Sequence, residues 1–133
     1  MAGVAYLDAS AVAKLIVAEA ETAALERDLA QRDALISSRL VLTEVARAAQ
    51  RAGSRRLLQT MDEVLEALVL VEVSKDVLHR AAALSPRELR TLDAIHLATA
   101  LSLGLADLEV ITYDQRLADA SALAGLHVVQ PGR

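Results

Sequence analysis

An α/β fold, with a parallel sheet of about four to five strands covered by helices on both faces, is what this sequence predicts, on three observations. Short β-type runs alternate with longer helical ones along the chain, the pattern left by parallel strands joined through crossover helices. Hydrophobic residues make up 54% of the 133 residues, which excludes a disordered chain and suits one domain, 1–133, with a substantial core. Four acids, Asp8, Glu44, Asp93 and Asp114, stand where apolar stretches would otherwise continue, at strand ends or first turns of helices. In open parallel sheets, ligands collect beyond the carboxyl ends of the strands.

Val4 to Leu7 reads as a buried strand, Ser10 to about Ala18 as a helix carrying Leu15 and Ile16, and Thr22 to Arg32 as a more polar helix. Ala34 to Ser37 is the second strand. A helix follows from Ser38 to Ala52 and stops at Gly53, a residue that readily takes the left-handed conformation closing a helix. Another runs from Ser54 to Ala67, and Val69 to Val73 is the third strand. Asp76 to Leu84 is helical until Ser85 and Pro86 end it, because proline cannot continue a helix. Leu92 to Leu103 is a strongly apolar helix closed by Gly104, and Val110 to Thr112 a short strand. Leu117 to Leu123 forms a last helix ending near Gly125, and His127 to Gln130 a final strand before Pro131 and Gly132. Neither an internal repeat nor a linker interrupts the series.

Composition limits the function classes. The two aromatic residues, Tyr6 and Tyr113, leave almost no platform for stacking bases. A net charge of -4 argues against a simple polycationic nucleic-acid binder, but four acids gathered on a metal would account for all of it. The remaining bases are almost all Arg, Lys14 and Lys75 being the two lysines, and Arg suits bidentate phosphate contacts. There is no cysteine, hence neither disulfide nor thiolate metal site. The start has no basic n-region, and Lys14, Glu19 and Glu21 break the longest apolar stretches below membrane-spanning length, so a soluble cytoplasmic protein is expected.

Helical spacing puts Glu44 on a face with Leu40, Val41 and Ala48, and Asp93 on one with Leu97, Ala100 and Leu101, so both should point inward. Each acid also has a structural reading. Asp8 and Asp114 can cap the helices that follow them, Asp93 can be a first-turn acid favoured by the helix dipole, and Glu44 can pair with Arg47. Capping does not explain an acid on an apolar face. Four carboxylates within a few Å repel by roughly 4 kcal/mol per close pair at an effective dielectric of 20, which a divalent cation would relieve. Oxygen donors favour Mg2+ or Mn2+ over zinc, His79, His96 and His127 being the three histidines.

The segment Leu92-Asp93-Ala94-Ile95-His96-Leu97-Ala98-Thr99-Ala100, with Tyr6-Leu7-Asp8-Ala9-Ser10, Thr43-Glu44 and Ile111-Thr112-Tyr113-Asp114, resembles PIN-domain ribonucleases, most of all VapC toxins of bacterial toxin–antitoxin pairs. The resemblance spans essentially the whole chain, and its most specific part is the Asp-Ala-Ile-His helix. It implies a three-layer α/β/α sandwich and a Mg2+- or Mn2+-dependent endoribonuclease, with Asp8, Glu44, Asp93 and Asp114 as the acidic quartet and Ser10 and Thr112 helping to hold metal or water. It also implies an RNA substrate, tRNA or another structured RNA, and products with 5'-phosphate and 3'-hydroxyl ends. The partners it implies are a VapB-type antitoxin and a second copy of the chain. Where many relatives have Asn before the fourth acid this chain has Tyr113, and Asp119 lies five residues beyond Asp114; Asp114 is preferred because Asp119 should face solvent.

A water activated by metal would attack the scissile phosphorus in line, without a side-chain nucleophile. His96 reads as a packed side chain, or as one orienting Asp93, rather than as a general base. Arg47 and Arg51 are the candidate RNA contacts in a group that includes Arg55 and Arg56, which also suits a solvated helix face. Leu15, Ile16, Val17 and Leu25 form either a groove for an amphipathic antitoxin segment or ordinary core. Two other classes stay open: a non-catalytic module in which the acids are caps, and a phosphatase using an Asp after the first strand. The haloacid-dehalogenase pattern, however, wants a second Asp where Ser10 stands.

Overall fold

The structure, a computed structural model, describes residues 3–133. Among these, strands β1 (Val4–Leu7), β2 (Ala34–Ser38), β3 (Val69–Val71), β4 (Glu109–Ile111) and β5 (His127–Val129) pair in the order β3-β2-β1-β4-β5, every neighbouring pair parallel. The helices are α1 (Ala9–Ile16), α2 (Thr22–Leu29), α3 (Val41–Ala52), α4 (Arg55–Glu66), α5 (Lys75–Ala82), α6 (Thr91–Ser102) and α7 (Gln115–Leu123). The chain builds outward from β1 to β3 on one side and then returns to place β4 on the other. That reversal puts the ends of β1 and β4 side by side at the switch point where such sheets bind ligands.

Alternation along β1 sends its side chains to opposite faces. Ala5 and Leu7 join Ala11, Val12, Leu25, Val41 and Val45 in a core under α1–α4. Tyr6 joins Ile36, Ala100 and Val110 under α6, and Val77 and Leu117 bring α5 and α7 to that face. The layers are therefore helix, sheet, helix. Helix α6 is buried along seven successive residues, Ala94 to Ala100, with His96 and Thr99 among them. Ile16 and Leu25 belong to the core, while Leu15 is half-buried and Val17 exposed. No helix of the described residues is long and apolar enough to cross a membrane.

Several boundaries differ from the sequence expectation, each for a hydrogen-bonding reason. α3 begins at Val41 rather than Ser38, because Ser38 stays in register with Val71 and the Arg39 N–H donates to the Val71 carbonyl. β3 ends at Val71 rather than Val73, where its partner β2 ends. β4 stops at Ile111, opposite Leu7, and releases Thr112 to the site. α7 starts at Gln115, two residues early, because Asp114 caps it.

Arg32 ties the end of the α2 layer to the sheet. Its side chain is nearly fully buried and donates to Asp28 Oδ1 at 2.9 Å and Glu109 Oε1 at 2.6 Å. Arg32→Ala is expected to destabilise the protein by about 2 kcal/mol in urea unfolding, below the usual cost of breaking a buried pair because both carboxylates keep some contact with water.

Candidate active site

Crossover helices run antiparallel to the strands, so their first turns lie at the carboxyl edge of the sheet. All four acids stand on such turns. Asp8 is the N-cap of α1 and Asp114 that of α7, while Glu44 and Asp93 lie in the first turns of α3 and α6. The positive ends of four helix dipoles thus face the acids. Asp8, Glu44, Asp93 and Asp114 line one cleft of about 330 Å3, together with Ser10, Arg90, Thr91, Leu92 and His96.

Asp8 is 3% exposed and held on both oxygens. Oδ1 accepts from the Ala11 N–H at 3.0 Å and from Ser10 Oγ at 2.7 Å; Oδ2 accepts from Thr112 Oγ1 at 2.7 Å. Burial raises its pKa, and the Thr112 and Ser10 hydroxyls pull against that rise. Thr112 Oγ1 also accepts from the Asp114 N–H, at 3.1 Å, coupling two of the acids. The Asp114 cap uses Oδ1, which accepts from the Arg116 and Leu117 N–H groups. Glu44 Oε1 meets His96 Nε2 at 2.7 Å, so its partner is His96 and not Arg47.

Asp93 registers the crowding. Its pKa is pushed up to about 6, first by burial, then by the charges of Asp114 and Asp8, with His96 and Arg90 opposing. Among the described residues no three acids or histidines are grouped closely enough to hold a metal ion by themselves. The acids instead line an open cleft, which suits a hard cation that takes one or two carboxylates and keeps waters and phosphate oxygens for the rest. The donor set fits Mg2+ or Mn2+, since every anionic group in the cleft is a carboxylate.

A family model described as PIN domain matches residues 5–123 of this chain. The chain belongs to the PIN domain family. This PIN domain is similar to Ribonuclease VapC46 of Mycobacterium tuberculosis, 46% identical over 133 residues that cover 95% of this chain and 96% of that protein. Ribonuclease VapC35 of the same organism is 42% identical over 132 residues, 96% of this chain and 97% of the relative. Among solved structures, a toxin–antitoxin complex from Klebsiella pneumoniae has a chain of the same fold, at TM-score 0.73 and 26% identity over 96% of this chain and 97% of that one.

Within the PIN domain the two hydroxyls singled out from sequence, Ser10 and Thr112, both bond Asp8. Asp119 is exposed, accepts from Gln115 Nε2 at 2.8 Å, and lines a separate depression with Leu89, Arg116 and Leu123. Arg47 and Arg51 are exposed on α3 and do not line the acidic cleft. The cation that does is Arg90, which the sequence reading missed; its signal was a base three residues before Asp93. Tyr113 leaves the cleft undisturbed: its N–H donates to Ser10 Oγ, while its hydroxyl donates away to the Pro131 carbonyl at 2.8 Å.

Thr112→Val would keep the shape of the site but strip a donor from Asp8 Oδ2 and an acceptor from the Asp114 N–H. A loss of about 2 kcal/mol in chemical denaturation is expected, the cost of leaving buried polar groups unpaired. An unchanged midpoint would mean the Thr112 bonds contribute nothing.

Proposed function

We propose that this PIN domain is a metal-dependent endoribonuclease, the toxin of a VapBC-type pair, which hydrolyses RNA phosphodiester bonds with water as the nucleophile. The observation that carries the reading is the convergence of Asp8, Glu44, Asp93 and Asp114 on one cleft at the sheet's switch point. The names of its relatives support the ribonuclease assignment. Asp8, Glu44, Asp93 and Asp114 would hold Mg2+ or Mn2+. When bound, such a cation lowers the pKa of a coordinated water and offsets charge on the phosphate.

The chain's own groups do the positioning. Ser10 and Thr112 fix both oxygens of Asp8. Arg90, at the rim of the acidic cleft, is placed to draw a phosphodiester toward it, and exposed Arg47 and Arg51 extend the basic contact along α3. With so few aromatics, selection rests on RNA shape and phosphate geometry, and tRNA or another structured RNA is the substrate that the resemblance to VapC toxins implies. A VapB-type antitoxin and a second copy of the chain are the protein partners, and exposed Val17, Leu42 and Leu58 are apolar surface for them.

The test is product chemistry. Attack by water with the 3'-oxygen as leaving group, the cleavage that the resemblance implies, leaves 5'-phosphate and 3'-hydroxyl ends and tolerates a 2'-deoxy nucleotide at the cut. A 2',3'-cyclic phosphate, or failure on the 2'-deoxy substrate, would overturn the mechanism.

A further inference from the structure

Behind Glu44 a chain of hydrogen bonds runs through three elements into the core. Tyr6 on β1 is 1% exposed, and its hydroxyl lies 2.8 Å from His96 Nδ1. His96 on α6 is 2% exposed, and its Nε2 lies 2.7 Å from Glu44 Oε1 on α3. The two rings meet edge to face, centroids 5.9 Å apart, so the imidazole is fixed in orientation as well as in bonding. Such an arrangement costs specificity of sequence: a tyrosine and a histidine, both polar at one end, occupy core positions that aliphatic side chains would fill more simply.

The bonding roles follow from the end of the chain. A carboxylate can only accept, so Nε2 must carry a proton toward Glu44. In the tautomer protonated on Nε2, Nδ1 is left as an acceptor, and the Tyr6 hydroxyl 2.8 Å away meets it as donor. A carboxylate at the end of a long, flexible side chain would otherwise sample several rotamers at the edge of an open cleft.

We infer that Tyr6 and His96 are positioning residues, Tyr6 selecting the His96 tautomer that donates to Glu44 and so fixing the Glu44 carboxylate toward the cleft. The inference rests on the ribonuclease reading for its effect on rate, but its structural half does not need that reading. Glu44 belongs to the acidic quartet; Tyr6 and His96 act only through it.

Two readouts test the relay. In metal-free protein, 15N NMR of the imidazoles should show His96 protonated on Nε2, and Tyr6→Phe, which keeps the ring packing, should shift that pattern. In RNA cleavage, Tyr6→Phe and His96→Leu should lower kcat about 10- to 100-fold while RNA affinity stays constant. His96→Gln, whose amide can donate from nearly the position of Nε2, should recover much of the loss. An Nδ1-protonated ring in the wild type overturns the inference. So does unchanged kcat in Tyr6→Phe and His96→Leu when Glu44→Gln is inactive. A wild-type chain that leaves all RNA intact removes the ribonuclease reading instead, and the tautomer then decides the relay by itself.

Discussion

Asp93→Asn is expected to reduce RNA cleavage roughly a thousandfold, about 4 kcal/mol of lost transition-state stabilisation, with the fold intact. The substitution is nearly isosteric and leaves the first turn of α6 in place, so the loss reports charge and oxygen donation, not shape. No hydrogen bond among the described residues ends on the Asp93 carboxylate. Asp8→Asn is a poorer probe. An amide there would face the hydroxyls of Ser10 and Thr112 and the Ala11 N–H with a donor where an acceptor is needed, and would lose stability along with activity. Turnover at saturating RNA, beside circular dichroism of both variants, separates the two effects. Asp93→Asn turning over within tenfold of wild type would remove Asp93 from the site.

The same substitution should cross over in stability with metal. The Asp93 pKa in the folded protein, about 6, lies above its ordinary value of 3.8, so the folded state binds the proton more tightly than the unfolded chain. Its contribution is therefore fully present below about pH 4 and is lost as pH rises through 6. Metal-free wild type should lose stability over that window, by about 1 kcal/mol once solvent screening of this half-buried group is allowed for, and Asp93→Asn should not. Glu21 acts in a different window and with the opposite sign. Arg133 and Lys14 hold its pKa down to about 2, so its contribution disappears only as pH falls from about 4.5 toward 2. Saturating Mn2+ at a hundred times its Kd should add about 2.7 kcal/mol to wild type and much less to the variant. Thermal unfolding from pH 4 to 8, with and without Mn2+, reads both halves. A wild type more stable at pH 7 than at pH 5 without metal, by an amount absent from the variant, would contradict the crowding.

Much of this was legible because the acids broke a pattern. Glu44 and Asp93 interrupt apolar helical faces, and the 3.6-residue period is enough to point them inward. For Asp8 and Asp114 the sequence left capping and site duty as alternatives, whereas the structure shows that capping does not remove them from the cleft. Asp114 caps with Oδ1, and Asp8 caps while lining the same cleft as the other three. Local spacing carried that much.

What sequence could not supply was pairing across the fold. No local pattern links His96 to Glu44; the two are 52 residues apart and meet only because α3 and α6 begin at the same sheet edge. β1 alternation places Tyr6 against α6, a contact that its place in a buried strand does not reveal. The strand ends shifted for the same reason: Val73 and Thr112 have the right residue types for strands, but their neighbours β2 and β1 offer no partner there. Propensity fixes candidates, and register chooses among them.

The most direct measurement is cleavage of end-labelled tRNA and total RNA by the purified chain, freed of any bound partner, in Mn2+ or Mg2+, after chelation, and after the ion is restored. Cleavage that stops with chelator and returns with the ion is the expected result. Cleavage that continues unchanged in chelator, or no cleavage of any RNA by folded, ion-loaded protein, would contradict a metal-dependent ribonuclease built on these four acids.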